Sequence, residues 1–347
     1  MANDIPLNRE LRDEEIIQID QFLEFKDRSD PLVFVGRQTL IDHVIKQTQR
    51  LRGEALPESC AIVVRGAPGA GKTSLLKKIA QELSRTEQYH DVLVIELGTR
   101  HLNNPALCIE SFMLGMDFKY AKNGLSREER DHWRNGTTGF VSHEEKWIRQ
   151  SDSVVARLNS EQSTVWSELK RLLDVVTDHV FVVLVDEAQR IQPDRNSNVC
   201  EIACNLNDAQ TQGIKILPVF AGLSDTRLIL SKVGVSRVAE GKTRQDNSVR
   251  DFSLERLSYA ESHRFMFDSL KLLGIVDVMD DEDRESMIQQ CSLASDGWPR
   301  HLHHYLQSCV RHIKNCHDEK NLSLSLTDVL NEGMLIALIT MKIEWPT

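Results

Sequence analysis

No stretch of this 347-residue chain approaches the roughly 18–20 apolar residues that a membrane helix requires. The longest candidate, residues 334–341, is too short, so no membrane partner is expected. The N-terminus, MANDIPLNRELRDEE, is polar and acidic and lacks the apolar region of a secretory signal. The seven cysteines are odd in number and lack close regular spacing, which excludes a disulfide framework and predicts reduced thiols in the cytoplasm. Positive charge is not in excess either. With 42 Lys and Arg against 52 Asp and Glu, the net charge is −10 and the pI near 5.7. That excludes a protein whose whole surface grips nucleic acid and leaves room only for a local basic strip. Internal repeats and low-complexity tracts are absent as well.

What is present is ordinary for a globular protein: 41% hydrophobic and 27% charged residues. The length suits one large domain with a smaller one, and its core needs neither disulfides nor metals to hold it. Residues 1–30 are acidic and weakly periodic; they read as an arm, with one short helix around residues 14–25. From Pro31 the pattern changes to a short apolar stretch and a helix through Leu51, and then strands and helices alternate. Apolar runs at residues 60–64, 92–97, 180–185 and 216–221 predict strands, with a shorter fifth at 251–254. Continuous apolar strands separated by helices predict an α/β fold, a parallel sheet covered on both faces. Pro218 lies in the fourth run and lacks an amide for the ladder, so that strand is expected to begin at or after it.

Beyond Ser258 the chain turns all-helical. Ser258 and Glu261 have capping-box spacing, and helices follow at about 259–273, 281–291, 299–316 and 327–343. Pro299 suits a first helical position. The expected division is an arm (1–30), a nucleotide-binding domain (31–257) and a small helical lid (258–347). Residues 98–179 are too long for a structureless loop, so inserted helices are expected, with 120–160 the candidate contact surface for a partner protein.

Gly66-Ala67-Pro68-Gly69-Ala70-Gly71-Lys72-Thr73, followed by Ser74, fits the phosphate-loop pattern without a mismatch. Glycines let the backbone wrap close to phosphates, and the following helix adds the positive end of its dipole. Lys72 is expected on the β and γ phosphates of ATP and the Thr73 hydroxyl on Mg2+. A chance glycine-rich turn is a weak alternative, because the loop follows an apolar strand and opens a helix. Asp186 and Glu187 follow VFVVLV at a strand's C-terminal end, where open α/β sheets place ligands. Asp186 is the candidate to hold magnesium through water, and Glu187 to activate the attacking water. Alone, two acids in this place also cap loops; beside a phosphate loop the catalytic reading is the stronger one. Gln189 is equally well read as an assisting group or as helix surface.

Taken together, GAPGAGKT, VFVVLVDEAQ, the early VFVGR, FAGLSDT after the fourth strand, GVSR and GWPRHL resemble the ordered motifs of an AAA+ ATPase. Within that superfamily the chain is most similar to the branch holding replication initiators and transposition-regulator ATPases, over residues 31–343. The resemblance implies a P-loop NTPase followed by a helical lid, assembled as a homo-oligomer with ATP between subunits. It implies that Val35, Gly36 and Arg37 lie near the adenine, and that Arg237 reaches a neighbouring subunit's nucleotide as an arginine finger. Arg300, in GWPR, corresponds to the second sensor facing the γ-phosphate. A solvated surface charge or local ion pair is the plainer alternative for both arginines, and Arg244 and Arg250 compete with Arg237. The first-sensor position normally carries an amide or hydroxyl; here the strand runs out through Ala221-Gly222-Leu223-Ser224-Asp225, and Ser224 is the best match. Initiators also carry a winged helix after the lid, for which too few residues follow, so DNA stays an open partner.

His301, His303, His304, Cys309, His312, Cys316 and His317 crowd into one helical region, but the paired-cysteine knuckle of structural zinc sites is missing. They are read as core and surface residues, as are Cys200 and Cys204. Two other readings compete with the oligomeric ATPase. One is a monomeric nucleotide-dependent signalling switch with slow hydrolysis. The other is a small-molecule kinase, disfavoured by the acid pair and the helical lid.

Overall fold

The computed structural model describes residues 4–24, 33–53, 61–85, 87–102, 108, 111–112, 167, 170, 179–191, 209, 213–232, 250–320 and 323–344. The expectations placed on residues 120–160, Arg237, Cys200 and Cys204 lie outside the described residues. The chain opens with β1 (Asp4–Pro6), α1 (Asp13–Glu24) and α2 (Gln38–Arg52). Then come β2 (Ile62–Gly66), α3 (Lys72–Arg85), β3 (Val92–Leu97), α4 (Thr99–Leu102) and β4 (Val180–Val185). After them follow β5 (Ile216–Gly222), α5 (Thr226–Lys232) and β6 (Arg250–Leu254). The final elements are α6 (Tyr259–Leu272), α7 (Asp281–Ala294), α8 (Pro299–Asp318), β7 (Ser323–Ser325) and α9 (Leu326–Glu344).

Contacts divide the described residues into two compact units. One holds those within Gln38–Ala67 and Lys78–Ser253; the other holds those up to Arg37, Pro68–Lys77 and those from Leu254 onward.

The first unit is built on a five-stranded sheet in the order β3-β4-β5-β2-β6. Val92 pairs with Val180, Phe181 with Ile216 and Ile62 with Val219, all in parallel registers. Every residue of β4 and β5 is buried, as continuous apolar strands require when both faces are covered. α2 packs on β4 and β5, with Leu40, Ile41, Val44, Thr48 and Leu51 of the helix buried at helical spacing. Pro218 corrects the sequence reading. β5 begins two residues before it, at Ile216, and Pro218 lies opposite Val183 of β4. Pairing with β2 starts only at Val219, so the proline stands where β5 has one ladder rather than two and a missing amide disturbs least.

The second unit is helical. The Ser258–Glu261 capping box is formed in both directions at the head of α6, and Asp280 caps α7 by accepting from the Asp283 amide. α8 packs against α1, α6, α7 and α9. Residues near the N-terminus are part of this unit. β1 pairs antiparallel with β7, Ile5 opposite Leu324, and Ile19 and Phe22 of α1 join the core that contains Leu302, Leu306 and Ile313. Weak periodicity hid this docking because its polar half is satisfied internally. Arg9 donates to both oxygens of the buried Glu15 carboxylate at 2.9 Å, and Arg12 binds the same group. Burial pushes the Glu15 acid up, but these hydrogen bonds outweigh it and hold its pKa at about 2. Among the described residues, no helix is long and apolar enough to cross a membrane.

Candidate nucleotide site

The expected phosphate loop joins β2 to α3. Gly69 and Gly71 adopt φ +80° and +87°, a left-handed backbone that side-chain-bearing residues rarely take. Gly69 is restricted a second time: a Cβ there would lie 3.0 Å from the Arg300 Cβ. Leu75 donates to the Gly71 carbonyl at 2.9 Å, which establishes α3 within its first turn. Ala70 and Lys72 are buried, while Gly69, Gly71, Thr73 and Ser74 are half-buried. An apolar strand, a turn that demands glycines and a helix start with an inward lysine together form the chemistry that a polyphosphate requires.

Arg300 meets this loop through its backbone. Its amide donates to the Gly69 carbonyl at 3.3 Å. The preceding elbow explains the placement. Asp296 and Gly297 both have positive φ, +51° and +71°, and turn the chain sharply from α7 into α8. The Leu257 amide donates to the Gly297 carbonyl at 2.8 Å, so close an approach that a side chain at 297 would collide with the Leu257 carbonyl. Arg256 clamps the outer side, pairing with Asp296 and lying 5.3 Å from the Trp298 ring centroid. Pro299 takes the first helical position, as its fixed φ suits.

Val35, Gly36 and Arg37 lie in the helical unit. Val35 is buried in its core, and Gly36 and Arg37 are consecutive left-handed residues. Arg37 donates to the Glu255 carbonyl, and burial lowers its pKa against the opposing pull of Glu261 and Glu255.

The acid pair closes β4. The Asp186 amide donates to the Leu97 carbonyl at 2.8 Å, extending the ladder with β3 to the strand's end. Glu187 then takes φ 56° and ψ 36°, a left-handed conformation uncommon for a residue with a side chain. Its amide donates to the Asp186 carboxylate at 2.9 Å. A 3₁₀ turn, Ala188–Arg190, follows and carries Gln189. The Gln189 Nε2 donates to Glu187 Oε2 at 2.5 Å, and its Oε1 accepts from the Leu223 amide at 3.1 Å. Ser224 is exposed on the turn just after β5. Because the strands are parallel, Gly66 at the end of β2 and Asp186 at the end of β4 occupy the same sheet edge. The bridge made by Gln189 was the residue whose role sequence reasoning left undecided; its only signal was proximity to Glu187.

The His and Cys residues of α8 have partners of other kinds. Cys309 is buried with its Sγ 3.2 Å from Met287 Sδ, and Cys316 donates to the Ser323 carbonyl. His312 pairs with Glu332 at 2.9 Å, and His317 Nδ1 accepts from the Leu11 amide.

The parallel sheet, the loop after β2 and the helical unit that follows are those of a P-loop NTPase. The family described as AAA ATPase domain matches residues 33–221, more than half of the chain, and the chain belongs to that family. No curated protein matches it. Solved structures are similar in fold. The Walker-type ATPase PABY2304 of Pyrococcus abyssi matches with TM-score 0.56 and 12% identity, over 93% of this chain and 78% of that one. The Aeropyrum pernix ORC2 protein in its ADPNP–ADP complexes has TM-score 0.59 and 12% identity, over 90% and 70%. The Aeropyrum pernix ORC1 protein in complex with DNA has TM-score 0.52 and 13% identity, over 91% and 69%.

Proposed function

We propose that this chain is a cytoplasmic, magnesium-dependent ATPase that works as a homo-oligomeric switch on a partner protein or DNA. The observation that carries the proposal is that Gly66, from which the phosphate loop departs, and the Asp186–Glu187 pair lie at the same edge of the parallel sheet, one strand apart. The loop fits a triphosphate on its own geometry: glycine-only turns at 69 and 71, a helix start, and a buried lysine.

In this reading Gly66, Ala67, Pro68, Gly69, Ala70 and Gly71 wrap the phosphates, with Ser74 in the helix's first turn. Lys72 neutralises charge on the β and γ phosphates. Thr73 and Asp186 hold magnesium, which when bound screens the phosphate oxygens. Glu187 accepts the proton of the attacking water. Val35, Gly36 and Arg37 border the base, Arg300 reports the γ-phosphate to the lid, and Ser224 serves as first sensor. Arg237 acts on a neighbouring subunit's nucleotide. Residues 31–257 work as the nucleotide-binding domain and 258–347 as the lid, with 120–160 facing a partner protein. DNA enters the proposal because ORC1 of similar fold was solved with DNA.

The test is ATP turnover by purified protein, alone and with duplex DNA, beside Lys72→Ala. Turnover that requires Lys72 and magnesium is expected. Turnover unchanged in Lys72→Ala would overturn the assignment of the loop.

A further inference from the structure

We propose that Gln189 is a positioning residue that ties the Glu187 carboxylate to the end of β5. The inference rests on the reading of Glu187 as the base and goes one step past it, to the residue that aims it.

Three observations converge on Gln189. Its side chain is used at both ends, donating to Glu187 Oε2 at 2.5 Å and accepting from the Leu223 amide at 3.1 Å. A primary amide supplies a donor and an acceptor at opposite corners of a rigid plane; a carboxylate supplies only acceptors. The second observation is the space made for it. Gly222, the last residue of β5, has Gln189 Oε1 2.6 Å and the Gln189 backbone N 3.1 Å from where a Cβ would stand. Thr226 Oγ1 would collide with the same Cβ, so glycine at 222 leaves room both for the turn that carries Gln189 and for the start of α5. The third is the conformation of Glu187. Its left-handed backbone swings the side chain back over the turn, and the Glu187 carbonyl accepts from the Arg190 amide at 2.8 Å, so the loop closes on itself.

These contacts make a strut from Leu223 through the Gln189 amide plane to the carboxylate of Glu187. Leu223 begins the turn that leads into α5, whose first residue, Thr226, donates its amide to the Leu223 carbonyl at 3.1 Å. Both backbone polar groups of Leu223 are therefore held, the amide by Gln189 and the carbonyl by the start of α5. A shift of this turn moves the Gln189 plane and with it the direction of the base. Gln189 need not touch nucleotide to matter, and its loss is expected to lower turnover while leaving nucleotide affinity intact.

The experiment compares wild type, Glu187→Gln, Gln189→Glu and Gln189→Met by ATP titration of the initial rate, with nucleotide affinity measured separately by calorimetry. Gln189→Glu keeps an acceptor for the Leu223 amide but loses the donor to Glu187 and sets a like charge beside it. Gln189→Met keeps the length and loses both bonds. Misaiming a reacting group by about 1 Å costs on the order of 100-fold, so kcat is expected to fall roughly 10–100-fold in both variants. KM and nucleotide affinity are expected to stay within about threefold of wild type, well short of the tenfold that 1.4 kcal/mol represents. Loss in Glu187→Gln with wild-type kcat in both Gln189 variants would overturn the strut and spare the base. A Glu187→Gln protein as active as wild type would overturn the base itself. A parallel fall of kcat and nucleotide affinity in Gln189→Glu would make Gln189 a structural residue only and also overturn the proposal. Should Gln189→Met fail to fold, Gln189→Glu decides alone.

Discussion

The amide of Arg300 donates to the carbonyl of Gly69 at 3.3 Å, and the Arg300 Cβ stands 3.0 Å from where a Cβ on Gly69 would be. Gly69→Ala therefore meets two obstacles. The left-handed φ of +80° costs about 1–2 kcal/mol for a residue with a Cβ, and the new methyl crowds the Arg300 side chain at its Cβ. ATP affinity is expected to fall at least tenfold by calorimetry. Arg300→Ala keeps the backbone bond, so it is expected to bind ATP nearly normally and to hydrolyse it poorly.

Lys72 and Glu187 separate binding from chemistry. If Lys72 lies on the β and γ phosphates as proposed, Lys72→Ala removes its charge there and is expected to abolish binding. Glu187→Gln is expected to bind ATP and lose turnover by roughly 10²–10⁴-fold, the range for a removed general base. Equal ATP affinity in wild type and Lys72→Ala, or full turnover in Glu187→Gln, contradicts the respective role.

Arg237 tests assembly. If it completes a neighbour's site, Arg237→Ala binds ATP and hydrolyses it about 10³–10⁵ times more slowly, as other trans-acting fingers do. Mixing it with Lys72→Ala then restores activity, because each protein supplies the half that the other lacks. Co-assembled mixtures that stay inactive rule out action in trans. Protein that never assembles with ATP, judged by size-exclusion chromatography, favours a monomeric switch.

Glu15 gives the helical unit a pH limit. Its folded pKa is held at about 2, below the 4.5 of a free glutamate, by Arg9 and Arg12. Its stabilisation is fully present above the unfolded value and is lost as pH falls from about 4.5 toward 2. Glu15→Gln is expected to lower stability at neutral pH by roughly 1–3 kcal/mol, the scale of charge-assisted hydrogen bonds. Thermal melts should show wild type and variant converging as the solution is acidified through that window. A gap that stays constant down to pH 2 would show that the carboxylate is not the source.

Much of the fold was legible because its signals are local. β4 is an unbroken apolar run and β3 is interrupted only by Glu96, the Gly69 and Gly71 spacing encodes backbone torsions, and Ser258 and Glu261 cap α6 across three residues. What escaped is long-range. Arg9 pairs with Asp277 across 268 positions, so the charges near the N-terminus read as an acidic arm until their partners are known. Pro218 misled because its tolerance depends on where β2 begins pairing, which β5 alone does not encode. Gln189 was undecided for the same reason: the Leu223 amide that it accepts from lies 34 residues further on.

The pairing of β1 with β7 also dictates an order of events during synthesis. Asp4 leaves the ribosome well before its strand partner, Ser325, is made. Ile5, Leu7, Leu11, Ile19 and Phe22 must wait, uncovered, while the residues between β1 and β7 are made. The nucleotide-binding sheet needs no such delay, since β2 through β6 are complete by Leu254. The helical unit thus closes after the sheet, and nascent chains stalled before β7 should be cut by protease near β1 while chains extended past α9 are spared.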